Sequence, residues 1–397
     1  MRALVVLPVL VGSAVLAQTA TPSTPAATAA APAAATPPAP LSMPTMEGPL
    51  ATAVPTTFDA GGKFGSLDVT GILSGFGYVQ NHPVPGDENA AADVSNGQVF
   101  VQKVTGVTQF YLQAGAYNLP ALGSPFLSTS DTIRETYGAL PQAYLKFVPK
   151  GNWSYEIGKL PTLIGAEYTF TFENMNIERG LLWNQENAVN RGIQVNYTKG
   201  KMAYSLSWND GFYSNRFNWL SGAATYTANA ANAYEFVAMG NYGTTVHSNY
   251  VIPLYQNNSS IYDLIYTHTA KKWLLQPYIQ LTYVPSNSRI GVGKGTSTMG
   301  YALLGTYTVS PKITMAGRAE YIKSSGNTTN GAVNLLYGVG SGAWSLTATP
   351  TYQNKAFFTR AEFSVVKATD STAGSAFGKL GTDTSQVRGL IESGFMF

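Results

Sequence analysis

The feature that most constrains this chain is the parity of its charges within alternating segments. Between Ile313 and Lys323, Ile313, Met315, Gly317, Ala319, Tyr321 and Lys323 share one face, while Thr314, Ala316, Arg318, Glu320 and Ile322 share the other. Side chains of an extended strand point alternately to its two faces, so one face here is apolar up to its terminal lysine and the other carries an opposite-charge pair. The pattern repeats from Phe357 to Lys367, where Arg360 and Glu362 fall together opposite Phe357, Ala361, Phe363 and Val365. In the last segment Arg388 and Glu392 alternate with Val387, Gly389, Ile391, Phe395 and Phe397. A lipid-facing Arg or Lys near the bilayer midplane costs about 2–4 kcal/mol, whereas a charge on the inner face of a hydrated barrel keeps its water. The shared parity therefore predicts strands with an outer wall for hydrocarbon and an inner wall for water.

No run of about eighteen apolar residues follows the N-terminus, so a spanning helix is not expected and a membrane-bound form must be a barrel. The composition agrees: 40 Gly, 24 Tyr, 18 Phe and only 11% charged residues, against the roughly 25% usual in globular domains. With no cysteine, disulfides, thiolate metal sites and a lipid-bearing cysteine are excluded. The net charge of +3 is too small to suggest a nucleic-acid partner.

Arg2, the apolar stretch Ala3 to Ala17 and the small-residue site Val15-Leu16-Ala17 read as a cleaved export signal at 1–17. Residues 18–57 form an Ala/Pro/Thr-rich segment with eight prolines between Pro22 and Pro49, read as a disordered periplasmic linker. Residues 58–397 are the expected barrel, with period-two segments broken by turn residues at spacings of about ten.

Strands are expected near 67–79, 98–104, 107–117, 141–148, 153–160, 190–198, 202–210 and 217–227. The second half runs near 233–242, 259–269, 273–285, 297–308, 313–324, 343–353, 356–367 and 385–397. This is an all-β, antiparallel transmembrane barrel of about sixteen strands, or fourteen if residues 98–117 form one long strand. Short connections at 149–152, 199–201, 271–272, 310–312 and 354–355 then lie on the periplasmic side, with residues 334–339 in an outer loop. Trp153, Trp208, Trp273 and Trp344 sit near strand ends, as interface girdles require.

The ending Gly394-Phe395-Met396-Phe397 resembles the terminal aromatic signal, carried by Phe395 and Phe397, through which barrel-assembly machinery inserts such proteins among outer-membrane lipids. More widely, from Leu67 to Phe397 the chain resembles the OmpL-like β-barrel porin family, also called porin-2. The resemblance is carried by Ile157-Gly158-Lys159-Leu160-Pro161-Thr162-Leu163-Ile164-Gly165-Ala166-Glu167, by Arg179-Gly180-Leu181-Leu182-Trp183, and by Asn190 to Tyr197. It implies passive diffusion of small solutes or ions across the bacterial outer membrane, without a cofactor and with no particular substrate. A homotrimer is expected by analogy with other sixteen-stranded porins.

Residues 161–189 are the longest connection and carry Glu167, Glu173, Glu178, Arg179 and Glu186. By analogy with general porins, whose third loop folds into the lumen, they are the candidate constriction. Facing the lumenal charges Arg191, Arg318, Glu320, Arg360, Glu362, Arg388 and Glu392, they would set a transverse field across a water-filled eyelet. The alternatives are a loop lying over the mouth and Arg-x-Glu pairs that merely brace the wall. The histidines, His82, His247 and His268, lack metal-ligand spacing, and no catalytic motif accompanies them, so neither a metal site nor an enzyme is expected. The rival function is a surface binding or envelope-tethering barrel with a blocked lumen, its Ala/Pro arm on the cell wall.

Overall fold

A computed structural model describes residues 46, 48–52, 54–62, 64–248, 251–327 and 329–397. The export signal, and most of the Ala/Pro/Thr-rich segment, lie outside these residues.

The described chain forms β1 (Thr56–Asp59), β2 (Ser66–Gln80), β3 (Ala90–Lys103), β4 (Thr108–Tyr117), α1 (Thr129–Glu135), β5 (Gln142–Phe147), β6 (Trp153–Pro161), β7 (Val189–Lys199), β8 (Met202–Asn209) and β9 (Trp219–Asn229). The second half contains β10 (Asn232–Asn241), β11 (Ser260–Thr269), β12 (Trp273–Val284), β13 (Thr296–Ser310), β14 (Ile313–Ser324), β15 (Gly342–Asn354), β16 (Phe357–Thr369) and β17 (Ser385–Met396). Strands β2 to β17 pair antiparallel in chain order, and β17 returns to β2 from Arg388↔Gln80 to Met396↔Ile72, closing a sixteen-stranded barrel. Residues 98–117 are two strands, β3 and β4, joined by a tight turn, and β3 begins eight residues earlier than its apolar pattern suggests. Seven short turns and both chain ends of the barrel lie at one rim, the periplasmic one for a barrel of this kind, and eight longer loops lie at the other.

Period two governs the wall. In β14, Arg318, Glu320 and Ile322 are buried inward while Met315 and Tyr321 are exposed outward. Leu73, Leu206, Leu264, Leu303, Leu346, Phe363 and Ile391 form an exposed apolar belt around the cylinder, the surface that lipid covers. Trp153, Trp208, Trp273 and Trp344 also face outward, near strand ends.

Two elements were not expected. Strand β1 pairs with the periplasmic end of β2, Thr56↔Val69 to Asp59↔Ser66. Helix α1 sits in the second outer loop with Ser128 as its N-cap, accepting from the Asp131 amide, and an Asp131–Arg134 ion pair along its side. About two turns bear too little periodicity to be read as a helix. Among the described residues, no helix is long and apolar enough to cross a membrane.

Candidate functional site

The chain between β6 and β7 does not lie over the mouth. Leu163, Ile164, Ala166, Phe170, Phe172, Met175, Ile177, Leu181 and Leu182 are all buried inside the barrel. Leu163 and Ile164 pack with Trp219, Val237, Met239 and Ile261. Leu181 and Leu182 pack with Tyr278, Ala302, Leu304 and Ile322. Phe170 and Phe172 pack with Ile72, Phe100, Tyr111 and Phe358. The loop thus crosses the lumen and touches much of the wall.

Charges fix it there. Arg318 in β14 donates to the Glu167 carboxylate at 2.5 Å and to the Glu178 carbonyl at 2.7 Å. Arg388 in β17 pairs with Glu178 and donates to Gln80 at 3.0 Å. Arg360 in β16 pairs with Glu392 directly across the β16–β17 ladder, and donates to the carbonyls of Thr171 at 3.0 Å and Asn174 at 3.2 Å. The wall carboxylates accept from loop amides: Glu362 from Ile177 at 2.6 Å and Glu178 at 3.1 Å, and Glu320 from Leu182 at 3.2 Å. Asp263 in β11 accepts from Gly165 at 2.6 Å.

The expected transverse field across an open gap is therefore replaced by direct pairing. A buried guanidinium without a counter-charge is strongly disfavoured, so wall arginines and loop carboxylates close on each other and not on water. Within the loop, Glu173 turns back to accept from the Phe170 amide at 2.9 Å, and Glu167 also accepts from Gly180 at 2.7 Å. Glu186 lies against Gly165 and receives the Tyr278 hydroxyl at 3.4 Å. Burial raises the Glu167 carboxyl above the ordinary range, and Arg318 opposes that rise.

Arg179 differs from the wall arginines. It is fully buried, its guanidinium lies 5.0 Å from the Trp183 ring centroid, and none of its three side-chain nitrogens has a hydrogen-bond partner among the described residues. Burial lowers its pKa to about 10, against the pull of Glu167, Glu178 and Glu173, so it remains a cation at neutral pH.

Arg191 is a correction. Its position in β7 has the same parity as exposed Ile193, so it points outward at the extracellular rim and not into the lumen. There it pairs with Asp210 at 2.7 Å and stacks on Tyr213 at 3.9 Å. Neighbouring Gln194 and Asn196 carry the lumenal parity instead.

Sequence reasoning passed over the opposite wall. From β5 to β8 the inner face presents Gln142, Glu156, Gln194, Asn196, Ser205 and Ser207. Glu156 pairs with Lys146 at 3.1 Å, and Ser205 and Gln194 both donate to Asn196. The signal was present as polar residues at every second position, but uncharged side chains give a weaker parity than Arg-x-Glu. Among the described residues no His/Asp/Glu cluster of metal-binding geometry occurs.

A closed, even-numbered barrel with an apolar belt, ringed by aromatics and crossed by an infolded third loop, defines an outer-membrane diffusion channel. The family described as "Putative beta-barrel porin-2, OmpL-like" matches residues 66–397, and the chain belongs to it. It is accordingly a porin of the outer membrane, a channel for passive diffusion. No curated protein matches the chain. Among solved structures it is similar to an anion-selective porin from Comamonas acidovorans, with TM-score 0.58 and 10% identity over 83% of this chain and 99% of that one. It is also similar to OmpT of Vibrio cholerae, with TM-score 0.56 and 13% identity over 86% and 100%. A trimer form of in-vitro folded OmpT gives TM-score 0.53 and 13% identity over 83% and 99%. At these identities the likeness is one of fold.

Proposed function

We propose that the protein passes small hydrophilic solutes through a narrow, cation-preferring constriction built by residues 161–189. The observation that carries the reading is a charge imbalance where loop meets wall. Among the described residues, Glu167, Glu173, Glu178, Glu186, Asp263, Glu320, Glu362 and Glu392 are buried there with Arg179, Arg318, Arg360 and Arg388. Eight carboxyl groups against four guanidiniums give the site an acidic lining, and fixed charge lining a narrow pore sets which ions enter. The loop is held by at least two buried ion pairs and several charge-assisted bonds, so the charge is fixed in place.

Export through a signal cleaved after Ala17 and insertion through Phe395 and Phe397 complete the proposal. A homotrimer is supported by the trimer form of the similar Vibrio cholerae barrel. The test is the reversal potential of the refolded protein in a planar bilayer under a potassium chloride gradient. Cation preference is expected, reduced in Glu186→Gln, a substitution outside the Arg318 and Arg388 ion pairs. Anion preference in the unmodified protein would sink the reading.

A further inference from the structure

Within the proline-rich arm, Met46 and the stretch from Gly48 to Leu50 reach the constriction loop. Before β1, the chain enters the periplasmic opening beneath the constriction loop. The Gly48 amide donates to the Glu173 carbonyl at 3.0 Å. The approach is so close that a Cβ on Gly48 would stand 2.5 Å from the Asn174 carbonyl oxygen, so only glycine fits. Two residues on, Leu50 is 3% exposed and is held in the aromatic cluster of Phe100, Phe170, Phe172 and Phe358, with Met46 packed beside it. Ala51 and the Gln353 side chain in β15 exchange two hydrogen bonds, each of 2.8 Å. Strand β1 then leaves along the edge of β2, just below the point where the Phe397 amide donates to the Gly71 carbonyl at 2.9 Å.

We infer that residues 46 and 48–52 form a plug that narrows the periplasmic side of the lumen by seating on the underside of the constriction loop. Three independent contacts support it: a backbone approach possible only for glycine, an apolar side chain in a matched aromatic nest, and a reciprocal amide pair with the wall. With Leu50 buried among aromatic rings, no water fits where it sits, and a diffusing hydrophilic solute needs a hydrated path. The attachment is modular, since the anchor at Leu50 and the strand at β1 are separated by Thr52 to Pro55. The plug can therefore leave its seat while β1 keeps the chain at the rim. This device is additional to the cation preference argued above, and its failure would leave that reading untouched.

The test uses the full mature chain. Leu50→Asp, refolded and checked for barrel formation by heat-modifiable electrophoretic mobility, is expected to show a higher unitary conductance than the unmodified protein. Equal conductance would overturn the plug. A second measurement does not depend on that variant folding. The protein has no cysteine, so Leu50→Cys creates a single thiol. A membrane-impermeant maleimide should label it far more slowly than Phe64→Cys in the exposed β1–β2 turn, and the protection should be lost when Gly48→Leu is added. Labelling of both thiols at the same rate would equally overturn the proposal.

Discussion

Arg388 and Glu178 show what single side chains contribute here. Each is buried, and each is the other's counter-charge. Replacing one partner strands the other, at a cost of about 3–5 kcal/mol. Arg388→Met should therefore lower stability by that order, and adding Glu178→Gln should recover much of the loss, as read by a double-mutant cycle of urea-dependent folding into lipid vesicles. Independent, additive losses would show that the pair is not coupled. Glu167 gives a pH prediction. Its folded-state pKa is raised, so the folded form binds its proton more tightly than the unfolded chain does. Its contribution is fully present below the ordinary glutamate pKa of about 4.3 and is lost as pH rises through the higher folded value. Relative to Glu167→Gln, the unmodified protein should gain stability as pH falls across that window. The sequence made Arg318, Arg360 and Arg388 legible as lumenal because parity is local, a matter of counting by twos. Their partners were not legible, since Arg318 meets Glu167 across 151 positions. Arg191 was misread because a charge near a strand end can satisfy itself at the rim, where parity no longer costs anything.

Strands and their turns followed closely from pattern, because each barrel strand repeats one rule over six to fifteen residues. Loops follow no such rule. That residues 161–189 enter the barrel was expected only by analogy with the third loop of general porins, beside the alternative of a loop over the mouth, and how they attach could not have come from pattern at all. The apolar residues that seat the loop look, in sequence, like another strand's worth of hydrophobics. Gly165 makes this concrete. It has φ of +78°, its amide holds Asp263, and the Glu186 carboxylate occupies the space a Cβ would need. Gly165→Ala should dislodge the start of the loop and raise both conductance and open-channel noise in bilayer recordings, while strand content by circular dichroism stays the same. A quiet channel of unchanged conductance would mean the loop tolerates the added methyl. Strand β1 escaped the sequence reading because its four residues are exposed on both faces, leaving no alternation to find.

The cylinder as a whole is stable only in a solvent with two faces. Its exposed belt of Leu206, Leu264, Leu303, Leu346 and Phe363 is an error in water and a fit in hydrocarbon. Leu346→Arg, on the outer parity of β15, should cost about 2–4 kcal/mol in folding into vesicles if that position lies near the midplane. A polar substitution at the neighbouring inward position, Thr347→Ser, should cost little by the same assay. Comparable losses at both positions would mean that the two faces do not see different solvents.

The seam between β17 and β2 joins Met396 to Ile72, so the first barrel strand waits for the last. Until the final residues have been made and delivered, every partial product is an open ribbon with two unpaired margins, the form most exposed to proteolysis and to pairing with the wrong chain. Connectivity thus ties closure to the last strand: a chain lacking β17 leaves the margin of β2 without the partner it has here.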